Sequence, residues 1–206
     1  MKEKNKLTTR YEAHASTKGN KAHALTTGEC ANASTTGEYA NASTTGKYAH
    51  ASTTGYGADA STKGKRAHAS TIGEWANAST TGKWAHASTT GNEANASTKG
   101  KWAHASTTGE WANASTAGYR AHASTIGEWA NASTMGENAI SCALGIKSKS
   151  KANKGFIIIV DWRYKDKWFI KKIYSAKVGE KIKGVIIKPN IYYWFENGKL
   201  VREKVI

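Results

Sequence analysis

Proline occurs once and cysteine twice in 206 residues, too few for a proline-rich linker or a disulfide framework. Large aliphatic residues are almost as scarce over most of the chain. Between Gly28 and Gly145 they are limited to Ile72, Ile126, Met135, Ile140 and Leu144, with no Val or Phe. That excludes a conventional core of Leu, Ile, Val and Phe for this span. No run of about 18 apolar residues exists, so no membrane contact by a spanning helix is expected. The opening MKEKNKLTTRYEAH has no apolar h-region, and a cytoplasmic or phage-associated location is expected rather than secretion.

Acidic residues are in deficit, but not evenly. The formal charge is +15, of which residues 1–27 carry +4, residues 28–145 nothing and residues 146–206 the remaining +11. Attraction to polyanions is therefore expected from the C-terminal segment and not from the long middle one. The shift at about residue 146 marks a domain boundary.

What fills the middle is a repeat. From Gly19 onward glycine recurs every nine residues, with units such as GEWANASTT (73–81) and GKWAHASTT (82–90). A fixed short period implies a solenoid. The fifth slot carries a second rhythm: Asn41, His50, Asp59, His68, Asn77, His86, Asn95, His104, Asn113, His122, Asn131. His alternates with Asn or Asp, so the physical repeat is a pair of unlike nonapeptides. The reading is an all-β fold, a flattened parallel β-solenoid or β-roll, each half supplying one strand and one turn. A Ser-Thr-Thr-Gly cluster in every nonapeptide would break a helix before three turns formed.

The two-residue strand period puts both alanines and the first threonine of W-A-N-A-S-T on one side, and the aromatic, the Asn or His, and the Ser on the other. Small residues meet across so thin a coil, so Ala and Thr are expected inside. The outward positions then form ladders. One is His50, His68, His86, His104 and His122. Beside it run Tyr48, Arg66, Trp84, Trp102 and Arg120, where guanidinium–indole contacts worth about 0.5–1 kcal/mol are expected. The opposite edge carries Trp75, Trp111 and Trp129. Lys lines the first edge and Glu the second, and an acidic edge of one copy against a basic edge of the next predicts a homo-oligomer, with a trimer favoured. Domains are read as an N-terminal cap (1–18), the solenoid (19–145), a transition (146–155) and a basic, aromatic-rich C-terminal domain (156–206).

At the end of the array the pattern becomes NAISCALGIKSKSKANKG (138–155). Its A-I-S-x-A-L-G-x-x-S-x-S-x-A spacing resembles the head repeats of YadA-like trimeric autotransporter adhesins, and the nonapeptides look like a variant of that scheme. The resemblance covers about two thirds of the chain and implies a trimeric β-roll head. The short aromatic, basic tail is similar to that of uncharacterised phage-associated repeat proteins.

In the tail, GFIIIVDWRY and KWFIKKIYSAKV read as strands, and IYYWFENGKLVREKV as a hairpin turning at Asn197-Gly198. One short helical piece is allowed for. This domain is expected to cap the open end of the solenoid. Lys165, Lys167, Trp168, Lys171, Lys172, Lys181 and Lys183 form a candidate basic and aromatic patch, suited to nucleic acid or a nucleoprotein through phosphate contact and base stacking. The plainer reading gives the aromatics to the core and the lysines to solubility.

Catalytic chemistry finds little support. Every Ser and His of the array recurs as a ladder, whereas a triad needs one unique convergence. A flat histidine row is not a three- or four-ligand metal site, so no metal and no cofactor is expected. Asp59 alone offers a carboxylate in the fifth slot, which argues against repeat-type calcium binding. Regular Thr and Ser rows invite an ice-binding reading, but tryptophans and charges interrupt the lattice. Cys30 and Cys142 are more than six coils apart and are read as free thiols. The expectation is a non-enzymatic structural or binding protein that offers ladders to a protein or glycan partner. The alternative is a phage- or mobile-element-encoded inhibitor whose basic domain contacts nucleic acid or a host defence complex.

Overall fold

The structure is a computed structural model and describes residues 5–204. It contains strands and turns only, with no helix among the described residues; the short helical piece allowed for in the tail is absent. Fourteen strands of five residues run from β1 (Asn5–Thr9) to β14 (His122–Ile126), each covering the fifth to ninth slots of its repeat. Longer strands follow: β15 (Asn131–Ala143), β16 (Lys149–Lys165) and β17 (Lys167–Lys177). Short pieces close the chain: β18 (Lys181–Ile182), β19 (Val185–Ile186), β20 (Tyr193–Glu196) and β21 (Lys199–Arg202).

Every strand of the array pairs in parallel with the strand two along, like residue over like residue: His86 lies between His68 and His104, and Asn95 between Asn77 and Asn113. Two nonapeptides per coil, roughly 18 residues, is thus the built repeat. The solenoid has about 9 turns, roughly 43 Å at the usual strand spacing. It runs beyond the residues 19–145 assigned to it from the sequence, because both ends join it. Asn5–Thr9 already pairs with His23–Thr27 and His14–Lys18 with Asn32–Thr36, so the described part of the expected cap is the first coil. At the other end β15 pairs with β16 from Asn131↔Lys149 to Ala143↔Ile159, which carries the solenoid through the expected transition.

The interior is what the two-residue period dictates. Ala76, Ala78 and Thr80 are all buried, as are their counterparts along the array. The buried threonine hydroxyls find no hydrogen-bond partner, so these residues contribute their methyl groups and bury an unpaired oxygen at some cost. With so little apolar volume inside, the backbone ladder carries much of the cohesion. It extends through the turns: Gly82 N donates to Lys99 O at 2.9 Å and Trp84 N to Lys101 O at 3.0 Å.

Those turns explain the invariance of glycine within the repeat. A Cβ at Gly82 would overlap the carbonyl oxygen of Gly64 one coil below, and its φ of 156° lies where L side chains are rare. The third slot is more surprising. Trp75, Trp84, Arg66 and Glu93 all have φ between 56° and 64°, in the left-handed region usually left to Gly or Asn. The aromatic therefore sits in the turn and not on the outward strand face assigned to it from the pattern. Each such residue costs on the order of 1 kcal/mol or more, offset where rings stack from coil to coil.

The end is capped by strands added to the open edge of the last coil on each face. β17 pairs antiparallel with β16 from Phe156↔Lys177 to Lys165↔Lys167, and Tyr193 of β20 pairs with Ser150. The hairpin β20–β21 turns at Asn197 and Gly198, both with positive φ, as its sequence predicts. Here the core changes character: Ile157, Ile159, Ile182, Ile187, Tyr193 and Phe195 are buried together.

Candidate interaction surfaces

The flattened coil offers two faces and two edges, and the residues that line each differ. The strand face carrying His50, His68, His86, His104 and His122 is called the His face, and its opposite the Asn face. The imidazoles stack with ring centres 4.7 to 4.9 Å apart. Partial burial holds His68, His86, His104 and His122 below the ordinary imidazole pKa, and a neighbouring imidazole adds to the effect at the first three. Burial is thus the larger cause and repulsion the smaller, the reverse of what the row suggests. Among the described residues no group of three or more His, Cys, Asp or Glu is placed to hold a metal ion.

On the Asn face side-chain amides donate to the side chain in the coil below. Asn95 Nδ2 donates to Asn77 Oδ1 at 3.0 Å, Asn113 to Asn95 at 3.0 Å and Asn131 to Asn113 at 2.8 Å, while Asn77 donates to Asp59 Oδ1 at 2.9 Å. Amides of this row also donate to the carbonyl of their own third-slot residue, as Asn113 does to Trp111 at 3.2 Å. Stacked identical amides thereby fix the register of successive coils.

Trp84 and Trp102 stack at 4.7 Å along one edge, and Trp111 and Trp129 at 5.3 Å along the other. The expected guanidinium–indole contacts are not the ones formed. Arg66 lies over Tyr48 and Arg120 over Tyr119, while Lys83 lies over Trp102 and Lys147 over Trp129. Trp75 stands apart, because Glu93 replaces the next rung. A groove of about 530 Å³ opens there, lined by Trp75, Glu93, Asn95, Trp111, Asn113 and Asn131. The edges keep their opposite charge over the central coils, Lys65, Lys83 and Lys101 against Glu74, Glu110 and Glu128. Toward the N-terminal end the rows are mixed, with Lys47 paired to Glu29 at 3.2 Å.

The basic residues of the tail are divided by the structure. Lys165, Lys167, Trp168, Lys171 and Lys172 are exposed on the hairpin β16–β17. Lys181 is exposed on β18, outside the hairpin itself. Lys183 stays exposed but folds over the cap: its Nζ donates to Gly198 O at 2.9 Å, lies 3.9 Å from the buried Asp161 and covers the rings of Tyr174 and Phe195. Arg163 Nε donates to the same carboxylate at 2.9 Å. Sequence reasoning missed this ion cluster, because Asp161 sits within an apolar run that gave no sign of its burial.

Cys30 and Cys142 are both free, and burial raises the pKa of the Cys142 thiol. No helix among the described residues is long and apolar enough to cross a membrane. No family model, no curated protein and no solved structure matches the chain.

Proposed function

We propose that this protein is a non-enzymatic, self-assembling β-solenoid that displays repeated side-chain rows to a protein or glycan partner. The observation that supports it most is the opposition of the two edges over the central coils, lysines on one and glutamates on the other at a constant rise. An acidic edge on the basic edge of a neighbour is a head-to-tail contact that closes into a ring. Three copies is the stoichiometry expected, in keeping with the resemblance to trimeric adhesin heads. Repetition of one weak contact per coil suits such a surface to avidity, and two free thiols suit a reducing compartment. The test is the mass of the full chain in solution at low and high salt. A multimer that loosens with added salt, or on the double change Lys65→Glu and Lys101→Glu, is expected; a monomer under all conditions refutes the assembly.

A second reading has its own support. The exposed hairpin gathers four lysines with Trp168 and Phe169 on one ribbon, a combination that contacts phosphates and stacks on bases. Salt-dependent retardation of single-stranded nucleic acid by the full chain, lost in Lys171→Glu with Lys172→Glu, is its expected signature. No retardation at about 50 mM salt removes it.

A further inference from the structure

The outward columns of the His face change chemistry at the C-terminal end. In β14 they carry His122, Ser124 and Ile126. Directly above, β15 carries Ile140 and Cys142, with Leu144 just beyond its end, and β16 then carries Phe156, Ile158 and Val160. The cross-strand pairs Val160↔Ile173, Trp162↔Ile170 and Tyr164↔Trp168 extend the same side onto β17. A polar stripe has become a flat apolar field.

Apart from Val160, which is buried, this field is not core, and its central residues Ile140, Phe156 and Ile158 are half-buried. Ile140, Phe156, Ile158, Trp162, Ile170 and Ile173 belong neither to the buried cluster nor to the residues packed against it. Ile126, Ile170 and Ile173 are 55%, 50% and 53% exposed. Three strands, β15 to β17, at their usual spacing and about eight residues of β16 span roughly 15 by 25 Å, or about 400 Å², with Ile126 at the margin. That is the size of the largest apolar patch a monomer ordinarily leaves in water, and such a patch commonly marks a contact.

The field also selects its occupant. Arg163, Lys165, Lys167 and Lys172 alternate with it along the hairpin and stand on the opposite side, so a polyanion would meet that side. What remains is flat and mainly apolar, with Lys171, the unpaired residue of the bulge beside Ile170, at its margin, and packs best against another flat β face about 10 Å away. A second copy of the chain supplies such a face, and about 400 Å² from each of two copies, about 800 Å² in total, needs the edge contacts beside it to reach the roughly 1,200 Å² at which stable interfaces begin. We infer that the His face is the side turned toward the shared axis of the assembly, its C-terminal apolar field filling the space between copies, while the Asn face and its ladder look outward. This rests on the assembly proposed above: edge contacts close the ring, and the field decides which face lies inside it.

The test compares full-length chains by sedimentation and circular dichroism. Ile158→Lys is expected to disperse the multimer while keeping the β spectrum, and Ser115→Lys, on the Asn face, to leave its mass unchanged. A thiol reagent gives a second readout without any substitution. Labelling of Cys142, in the middle of the field, is expected to slow about tenfold as the wild-type chain is concentrated through its assembly range. A multimer that survives Ile158→Lys, or a Cys142 as reactive in the multimer as in dilute protein, overturns the inference and leaves the edge contact standing. A wild-type chain that never associates overturns the assembly itself.

Discussion

The array and the C-terminal end share one backbone course and are held together in different ways. In the array the buried side chains are Ala and Thr, each too small to fix its neighbour, and order comes from hydrogen bonds and identical groups stacked coil on coil. In the last coil and its cap, Ile157, Ile159, Tyr193 and Phe195 are buried instead, and cohesion comes from apolar volume. The same difference appears outside, where amide and imidazole ladders give way to an aliphatic field. A repeating chain can be built almost without a hydrophobic core, provided each coil reproduces the last; once repetition stops, large side chains must replace it.

The comparison is broken most severely at a turn glycine. In Gly82→Ala the new methyl collides with the backbone of the coil below, and neither backbone can yield without breaking the turn ladder. A loss of about 3 kcal/mol or more is expected, read as a fall in chemical-denaturation midpoint. The same change at Gly179, beyond the solenoid, meets no atom within 4 Å and is limited to the strain of its positive φ. Equal losses at the two sites would show that coil stacking does not impose the glycine.

Acid should separate the two regions next. Burial lowers the folded-state pKa of His68, His86, His104 and His122 below the ordinary 6.5. The unfolded chain therefore binds protons first as pH falls. The stability these residues contribute is full above about pH 6.5 and is lost as pH descends through the lowered values. A lower melting temperature at pH 5 than at pH 8 is expected, with the gap narrowed when the four are changed to Asn. An unchanged melting temperature would mean that the row is too well solvated to matter. The smallest effect is inside the coil: Thr80→Val removes an unpaired buried hydroxyl and keeps the shape, so stability is expected to hold or rise by up to about 1 kcal/mol. A clear loss would reveal a hydrogen bond for that oxygen.

Much of this was written in the order of residues. The regular glycine and the alternation of His with Asn sufficed for coil length, inward alanines and stacked rows, because a strand has only two sides and a coil of paired nonapeptides only two halves. The Asn197-Gly198 hairpin was legible for the same local reason. Long-range placement was not. Nothing in the composition break at 146 shows that β16 runs unbroken from the solenoid into the cap, since either a linker or a strand accommodates lysines and small residues. Lys183 reads as one more surface lysine until folding brings Asp161, from the preceding hairpin, beside it.

The sequence alone thus determined the repeat, the side each repeating strand residue faces and the two charged edges, all consequences of fixed backbone geometry acting on a periodic chain. Tertiary structure alone decided that the aromatics occupy left-handed turn positions, that arginines cover tyrosines rather than tryptophans, and that the apolar residues of three successive strands merge into one open field. Those outcomes depend on which groups come within a few ångströms across coils and cap, and a linear pattern carries no such distance.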